Sequence, residues 1–217
     1  MKTRIFNLII LDKSGSMESI RKQTVDSVNE TVQTIREAQK QNDETEQFVS
    51  FVTFAGEMKT VLDCVPAKKV KELSKKDYTP GGMTALYDAM GTSISNLRSK
   101  IETGDRVLVT IVTDGYENAS RHFNVQNIKE LVSELKKRDW VFVYIGANHD
   151  VEKVAMEMNI GNVTSFTADA KGVEEMTSRV NTGRRGVYDR IVSECFCSME
   201  EDGNFFTPTE KSKKDEK

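Results

Sequence analysis

Ile5-Phe6-Asn7-Leu8-Ile9-Ile10-Leu11-Asp12-Lys13-Ser14-Gly15-Ser16 is the stretch on which the fold turns. Its first seven residues form an almost unbroken apolar run, the pattern of a strand covered on both faces, not of a half-exposed one. The run then breaks into a polar loop whose carboxylate and hydroxyls alternate. A second run, Val107-Leu108-Val109-Thr110-Ile111-Val112, ends the same way in Thr113-Asp114-Gly115.

Working outward, strand-like segments fall at 4–11, 47–55, 57–65, 106–113, 140–146 and 163–167. Ala55-Gly56 between the second and third predicts a hairpin, hence one antiparallel edge strand. Between strands, apolar residues recur with a helical period: Val25, Val28, Val32, Ile35; Leu86, Met90, Ile94, Leu97, Ile101; Ile128, Leu131, Val132, Leu135; and Met176, Val180, Val187, Ile191. These stripes read as core faces, and Met83, Met90, Met156 and Met158 as core filler.

Strands alternating with helices predict an α/β domain, doubly wound around a mostly parallel sheet of about six strands with helices on both faces. In such sheets ligands bind beyond the carboxyl ends of the strands, where strand order reverses. Asp12 and Asp114 both fall on that edge. The domain is expected over 1–193. Residues 194–217, with Glu200-Glu201-Asp202 and Lys211-Ser212-Lys213-Lys214, read as a charged, disordered C-terminal tail.

Taken singly, Ser14 and Ser16 could cap a helix beginning near Met17, Thr84 one beginning at Ala85, and Asp114-Gly115 could be an ordinary turn. Taken together they describe something else. Asp12-x-Ser14-x-Ser16 lets one loop aim three oxygens at a point, and Gly15 relieves crowding there. Gly81-Gly82 lets a second loop bring in the Thr84 hydroxyl, and Asp114 arrives from a neighbouring strand. Two carboxylates and three hydroxyls, without thiolate or paired imidazole, are a hard-oxygen set suited to Mg²⁺, with Mn²⁺ or Ca²⁺ as alternatives.

Asp12-Lys13-Ser14-Gly15-Ser16, Gly82-Met83-Thr84 and Thr113-Asp114-Gly115 together resemble the metal-ion-dependent adhesion site of von Willebrand factor type A domains, over roughly 4–190. Gly81-Gly82-Met83-Thr84-Ala85-Leu86-Tyr87-Asp88 resembles the intracellular bacterial branch of that family. The resemblance implies a Rossmann-like fold with a divalent cation above the sheet. Ser14, Ser16 and Thr84 would ligate it directly, and Asp12 and Asp114 directly or through water. One coordination position would be left for an Asp or Glu of a protein partner. Tyr116, Glu117, Asn118 and His149 follow strand ends and are expected to flank the cation. They are candidates for touching that partner, although a surface turn with a helix cap explains them as well and is the favoured reading.

Other classes fit less well. A metal-assisted phosphohydrolase would use Asp12 as nucleophile but commonly needs a second acid two residues on, where Ser14 stands. Neither glycine-rich phosphate-binding pattern is present, which argues against a nucleotide-binding domain. A non-enzymatic binding module is the expectation. A net charge of −3 over 217 residues provides no basic field for nucleic acid. The first apolar run is too short to span a bilayer. Three cysteines, Cys64, Cys195 and Cys197, without zinc spacing suggest a reducing, cytoplasmic setting, which makes the sequons at Asn29, Asn118 and Asn162 incidental.

Overall fold

The computed structural model describes residues 2–193 and 204–206. β1 (Thr3–Asp12) leads through a short 3-10 helix (Gly15–Ile20) into α1 (Arg21–Gln41), followed by the hairpin of β2 (Thr45–Phe54) and β3 (Met58–Pro66). Then come α2 (Leu86–Arg98), β4 (Arg106–Thr113), α3 (Val125–Lys136), β5 (Trp140–Gly146), α4 (Val151–Glu157), β6 (Asn162–Ser165) and α5 (Ala170–Val192). The sheet order is β3-β2-β1-β4-β5-β6. Every neighbouring pair is parallel except β2 with β3. The expected doubly wound architecture is therefore present, antiparallel edge included.

Strand alternation divides the core in two. Ile5, Ile9 and Leu11 pack with α1 and α5 residues such as Val28, Ile35, Val180 and Val187. Phe6, Leu8 and Ile10 pack on the opposite face with Leu86, Met90, Ile94, Ile128 and Val132. With both faces covered, β1 has no solvent side, which is why its sequence does not alternate.

Order reverses between β1 and β4, the two strands that are neighbours without being connected in sequence. The carboxyl ends of these strands carry Asp12 and Thr113-Asp114, so topology puts both carboxylates at the switch point.

Several details differ from expectation. α4 was not anticipated; seven residues are too few for a clear apolar stripe. Ile101 lies beyond α2, which ends at Arg98. Met90 and Met158 are core, but Met83 and Met156 are exposed. In the segment read as a solvated tail, Asn204–Phe206 forms a 3-10 turn, and Phe205 is only 2% exposed. Its ring lies where a Cβ on Gly183 of α5 would fall, 2.5 Å from Phe205 Cε1, and its N–H donates to Asn162 Oδ1 at 3.1 Å. The rest of that segment, with Cys195 and Cys197, lies outside the described residues. Cys64 is a free thiol. Among the described residues no helix is long and apolar enough to cross a membrane.

Candidate metal centre

Three loops meet above the β1–β4 junction, and backbone hydrogen bonds lace them together. Lys13 N–H donates to Phe54 O at 2.7 Å, Gly81 N–H to Lys13 O at 2.7 Å, and Gly15 N–H to Gly82 O at 3.2 Å. The Thr84 loop is fixed at both ends of one residue: Asn118 N–H donates to Thr84 O at 3.0 Å, and Thr84 N–H to Asn118 Oδ1 at 2.8 Å. Tyr78, buried, donates its hydroxyl to Asp12 O at 2.5 Å. Within these loops the backbone of Gly82 demands glycine, with φ of 88°. Gly15 has ordinary contacts, its imagined Cβ 3.8 Å from Gly82 O, so it does not relieve crowding as expected.

The hydroxyls do not cap helices. Ser14 precedes the 3-10 helix and Ala85 precedes α2, neither with a side-chain cap bond. Instead the polar atoms form a chain. Ser14 Oγ and Ser16 Oγ lie 3.2 Å apart, and Ser16 Oγ donates to Asp114 Oδ1 at 2.6 Å. Asp12 Oδ1 accepts from Ser14 N–H and Asp12 Oδ2 from Thr113 Oγ1, each at 2.6 Å. A Cβ on Gly115 would sit 3.6 Å from Thr84 Oγ1 and 4.0 Å from Ser16 Oγ, ordinary contacts that place Gly115 against both hydroxyls. The structure thus gathers all five predicted residues.

Their electrostatics are unbalanced. Asp12, Ser14, Thr84 and Asp114 are buried. Burial pushes the Asp12 carboxyl up to about 6, against the Thr113 and Ser14 hydrogen bonds that favour its charge. Burial also raises Asp114, against its bond from Ser16. No salt bridge among the described residues reaches either acid. Asp114 Oδ2 is buried without a hydrogen-bond partner. Buried charge is ordinarily paired or metal-bound, so two such carboxylates beside three hydroxyls fit a hard divalent cation well. Among the described residues no group of three or more His, Cys, Asp or Glu gathers anywhere, so the donor set is hydroxyl-rich.

The four flanking residues separate into two kinds. Glu117 is consumed internally: Oε2 accepts from Tyr87 N–H at 3.0 Å and Ser120 Oγ at 2.7 Å, and Oε1 accepts from Ala119 and Ser120 N–H. Asn118 holds the Thr84 loop as described. Tyr116 and His149 form the rim. Tyr116 is 56% exposed, its ring centroid 5.2 Å from that of His149, and its hydroxyl accepts from Asp150 N–H at 3.1 Å. His149 is held by Ala147 O at 2.6 Å and Tyr144 Oη at 3.0 Å, and burial lowers its pKa despite the pull of Asp114. Met83, 55% exposed beside Thr84, is a second apolar rim residue.

Asp88 is a further residue that shapes the site, and its role rests on contacts distant in sequence. Its carboxylate accepts from Arg121, His122 and Phe123 N–H at 2.7–2.8 Å, pinning the loop that follows Asp114. The signal was its place at the end of Gly81–Asp88, but nothing local names partners more than thirty residues away.

This is a doubly wound α/β domain with an oxygen-lined centre at its switch point. The sequence profile of the von Willebrand factor type A domain matches residues 8–183, and the chain belongs to that family. Domains of this family are in general protein-interaction modules. Similar solved structures include proximal thread matrix protein 1 from the mussel byssus, 17% identical, covering 86% of this chain and 46% of that one, with a TM-score of 0.57. A von Willebrand factor type A protein from Catenulispora acidiphila is 15% identical, covering 82% and 42%, with a TM-score of 0.56. The PilB minor pilin from Streptococcus sanguinis is 12% identical, covering 87% and 62%, with a TM-score of 0.59. The chain spans less than two thirds of each of these three, and at such identities they speak to fold alone. No curated protein matches the chain in sequence.

Proposed function

We propose that Asp12, Ser14, Ser16, Thr84 and Asp114 form a complete adhesion-type site. It would hold a divalent cation, Mg²⁺ first and Mn²⁺ or Ca²⁺ as alternatives, and bind an Asp or Glu side chain of a protein partner. The observation that carries this is Asp114 Oδ2, a buried carboxylate oxygen without a partner beside a chain of hydroxyls that cap no helix. Bound there, the cation supplies the positive charge that two buried acids call for and an acceptor for one more anionic oxygen. Asp12 sits lowest and orders the loop through Ser14 N–H; Thr113 orients Asp12 in turn. Tyr116 and Met83 offer apolar contact around the entering carboxylate, a role suited to a fixed aromatic ring.

On this reading the protein is a binding module, not an enzyme, because Ser14 stands two residues after Asp12, where a phosphohydrolase commonly carries a second acid. We extend the proposal to an intracellular, bacterial-type module, on the strength of Gly81–Asp88. The test is a displayed peptide library washed over the protein in Mg²⁺ and then in EDTA. Peptides released by EDTA should carry an Asp or Glu whose replacement by Asn or Gln abolishes capture. Capture indifferent to EDTA, or to that replacement, would refute the proposal.

A further inference from the structure

Arg184 is fully buried in the middle of the domain, on α5 against the sheet. Its Nη1 donates to Asn7 Oδ1 on β1 at 2.9 Å and its Nη2 to Thr110 Oγ1 on β4 at 2.7 Å. One turn further on, Tyr188 also donates to Asn7 Oδ1, at 2.5 Å, and burial pushes its phenol up, so it keeps its proton. Every one of these partners is neutral. No salt bridge among the described residues includes Arg184, unlike its neighbour Arg185, which pairs with Glu37. A guanidinium taken out of water without a counter-charge is costly, and dipoles of an amide and a hydroxyl offset only part of that.

Two further observations point the same way. Arg184 Nε is buried and has no hydrogen-bond partner among the described residues. Arg184 and Thr110 both line a cavity of about 30 Å³ between α1, α5 and the sheet, walled mostly by aliphatic side chains such as Ile9, Val28, Val112 and Val180. A cavity needs only about 10–15 Å³ by this measure to admit a water, so there is room for one small ion. Thr110 Oγ1 accepts from Nη2, which leaves its own proton to donate. A water would satisfy Nε but leave the charge uncompensated; an anion does both.

We propose that this cavity is a binding site for a small inorganic monoanion of chloride size, held by Arg184 Nε–H and the Thr110 hydroxyl. The site is separate from the oxygen-lined centre and does not depend on it.

The experiment is thermal melting in EDTA, without divalent cations, with chloride replacing gluconate at constant ionic strength. Gluconate is far too large for the cavity. Wild type should melt a few degrees higher as chloride saturates, and Arg184→Met should show no chloride dependence. Bromide soaked into crystals of the wild-type protein should give an anomalous peak within hydrogen-bond reach of Arg184 Nε, a readout that stands even if the variant fails to fold. Equal melting in both anions, an identical chloride response in Arg184→Met, or bromide found only on the surface would overturn the proposal and leave the cavity to water.

Discussion

Replacing Asp12 with Asn should make the cation-free protein more stable and the cation-loaded protein less so. Asp12 is buried, and its carboxyl is pushed from an ordinary 3.8 to about 6. That rise corresponds to about 3 kcal/mol of cost for holding the charge at pH 7, of which ~2 kcal/mol is a fair expectation after residual solvation. Asn keeps the shape, keeps an oxygen for Ser14 N–H, and can donate to Thr113 Oγ1 once that hydroxyl turns. In EDTA the variant should therefore melt higher, by about 4–8 °C for a domain of this size. A cation at a hundredfold excess over its dissociation constant adds about 2.7 kcal/mol to wild type and little to the variant. The two melting temperatures should thus cross as Mg²⁺ is titrated. The sign with pH follows. A carboxyl raised in the fold costs stability above its folded pKa, and the cost fades as pH falls from about 6 towards 3.8. In EDTA the advantage of Asp12→Asn should shrink over that window. A variant less stable than wild type in EDTA, with an unchanged Mg²⁺ response, would refute the reasoning.

Gly82→Ala forces a side chain into φ of 88° and should cost about 1–2 kcal/mol in urea unfolding, with weaker Mg²⁺ binding because the Thr84 loop shifts. Phe205→Ala empties the seat over Gly183 and should cost about 3 kcal/mol or somewhat less if the turn simply detaches, read as a lower denaturation midpoint. Asp88→Ala removes the acceptor of three backbone N–H groups, two of them exposed, and should cost about 1 kcal/mol, with faster amide exchange at Arg121, His122 and Phe123. Asn118→Ala should leave the fold standing but weaken Mg²⁺ binding, measured calorimetrically, since Thr84 loses the acceptor that fixes it.

The sheet was legible because its central strands are buried on both faces. Ile5–Leu11 and Val107–Val112 admit no polar residue except where the structure uses one, Asn7 and Thr110, which meet Arg184. The five oxygen-bearing residues were legible because each follows a strand or precedes a helix at a break in hydrophobicity. Duties that depend on distant partners were not. Glu117 and Asn118 looked like surface residues beside a ligand, yet their hydrogen bonds run to Tyr87 and Thr84. Arg184 lies on the same helix face as Met176, Val180 and Val187, but a charged residue adds nothing to an apolar stripe, so its burial could not be read from the pattern. Phe205 follows a charged run with no periodicity of its own, and only the gap over Gly183 explains its burial.

The central claim is that one cation sits among Asp12, Ser14, Ser16, Thr84 and Asp114. The most direct measurement is paramagnetic broadening of backbone amide signals by substoichiometric Mn²⁺. The account predicts that Ser14, Ser16, Thr84 and Gly115 broaden first, that excess Mg²⁺ restores them, and that Asp114→Ala abolishes the effect. Broadening that begins on another acidic surface, or that persists unchanged in Asp114→Ala, would contradict it.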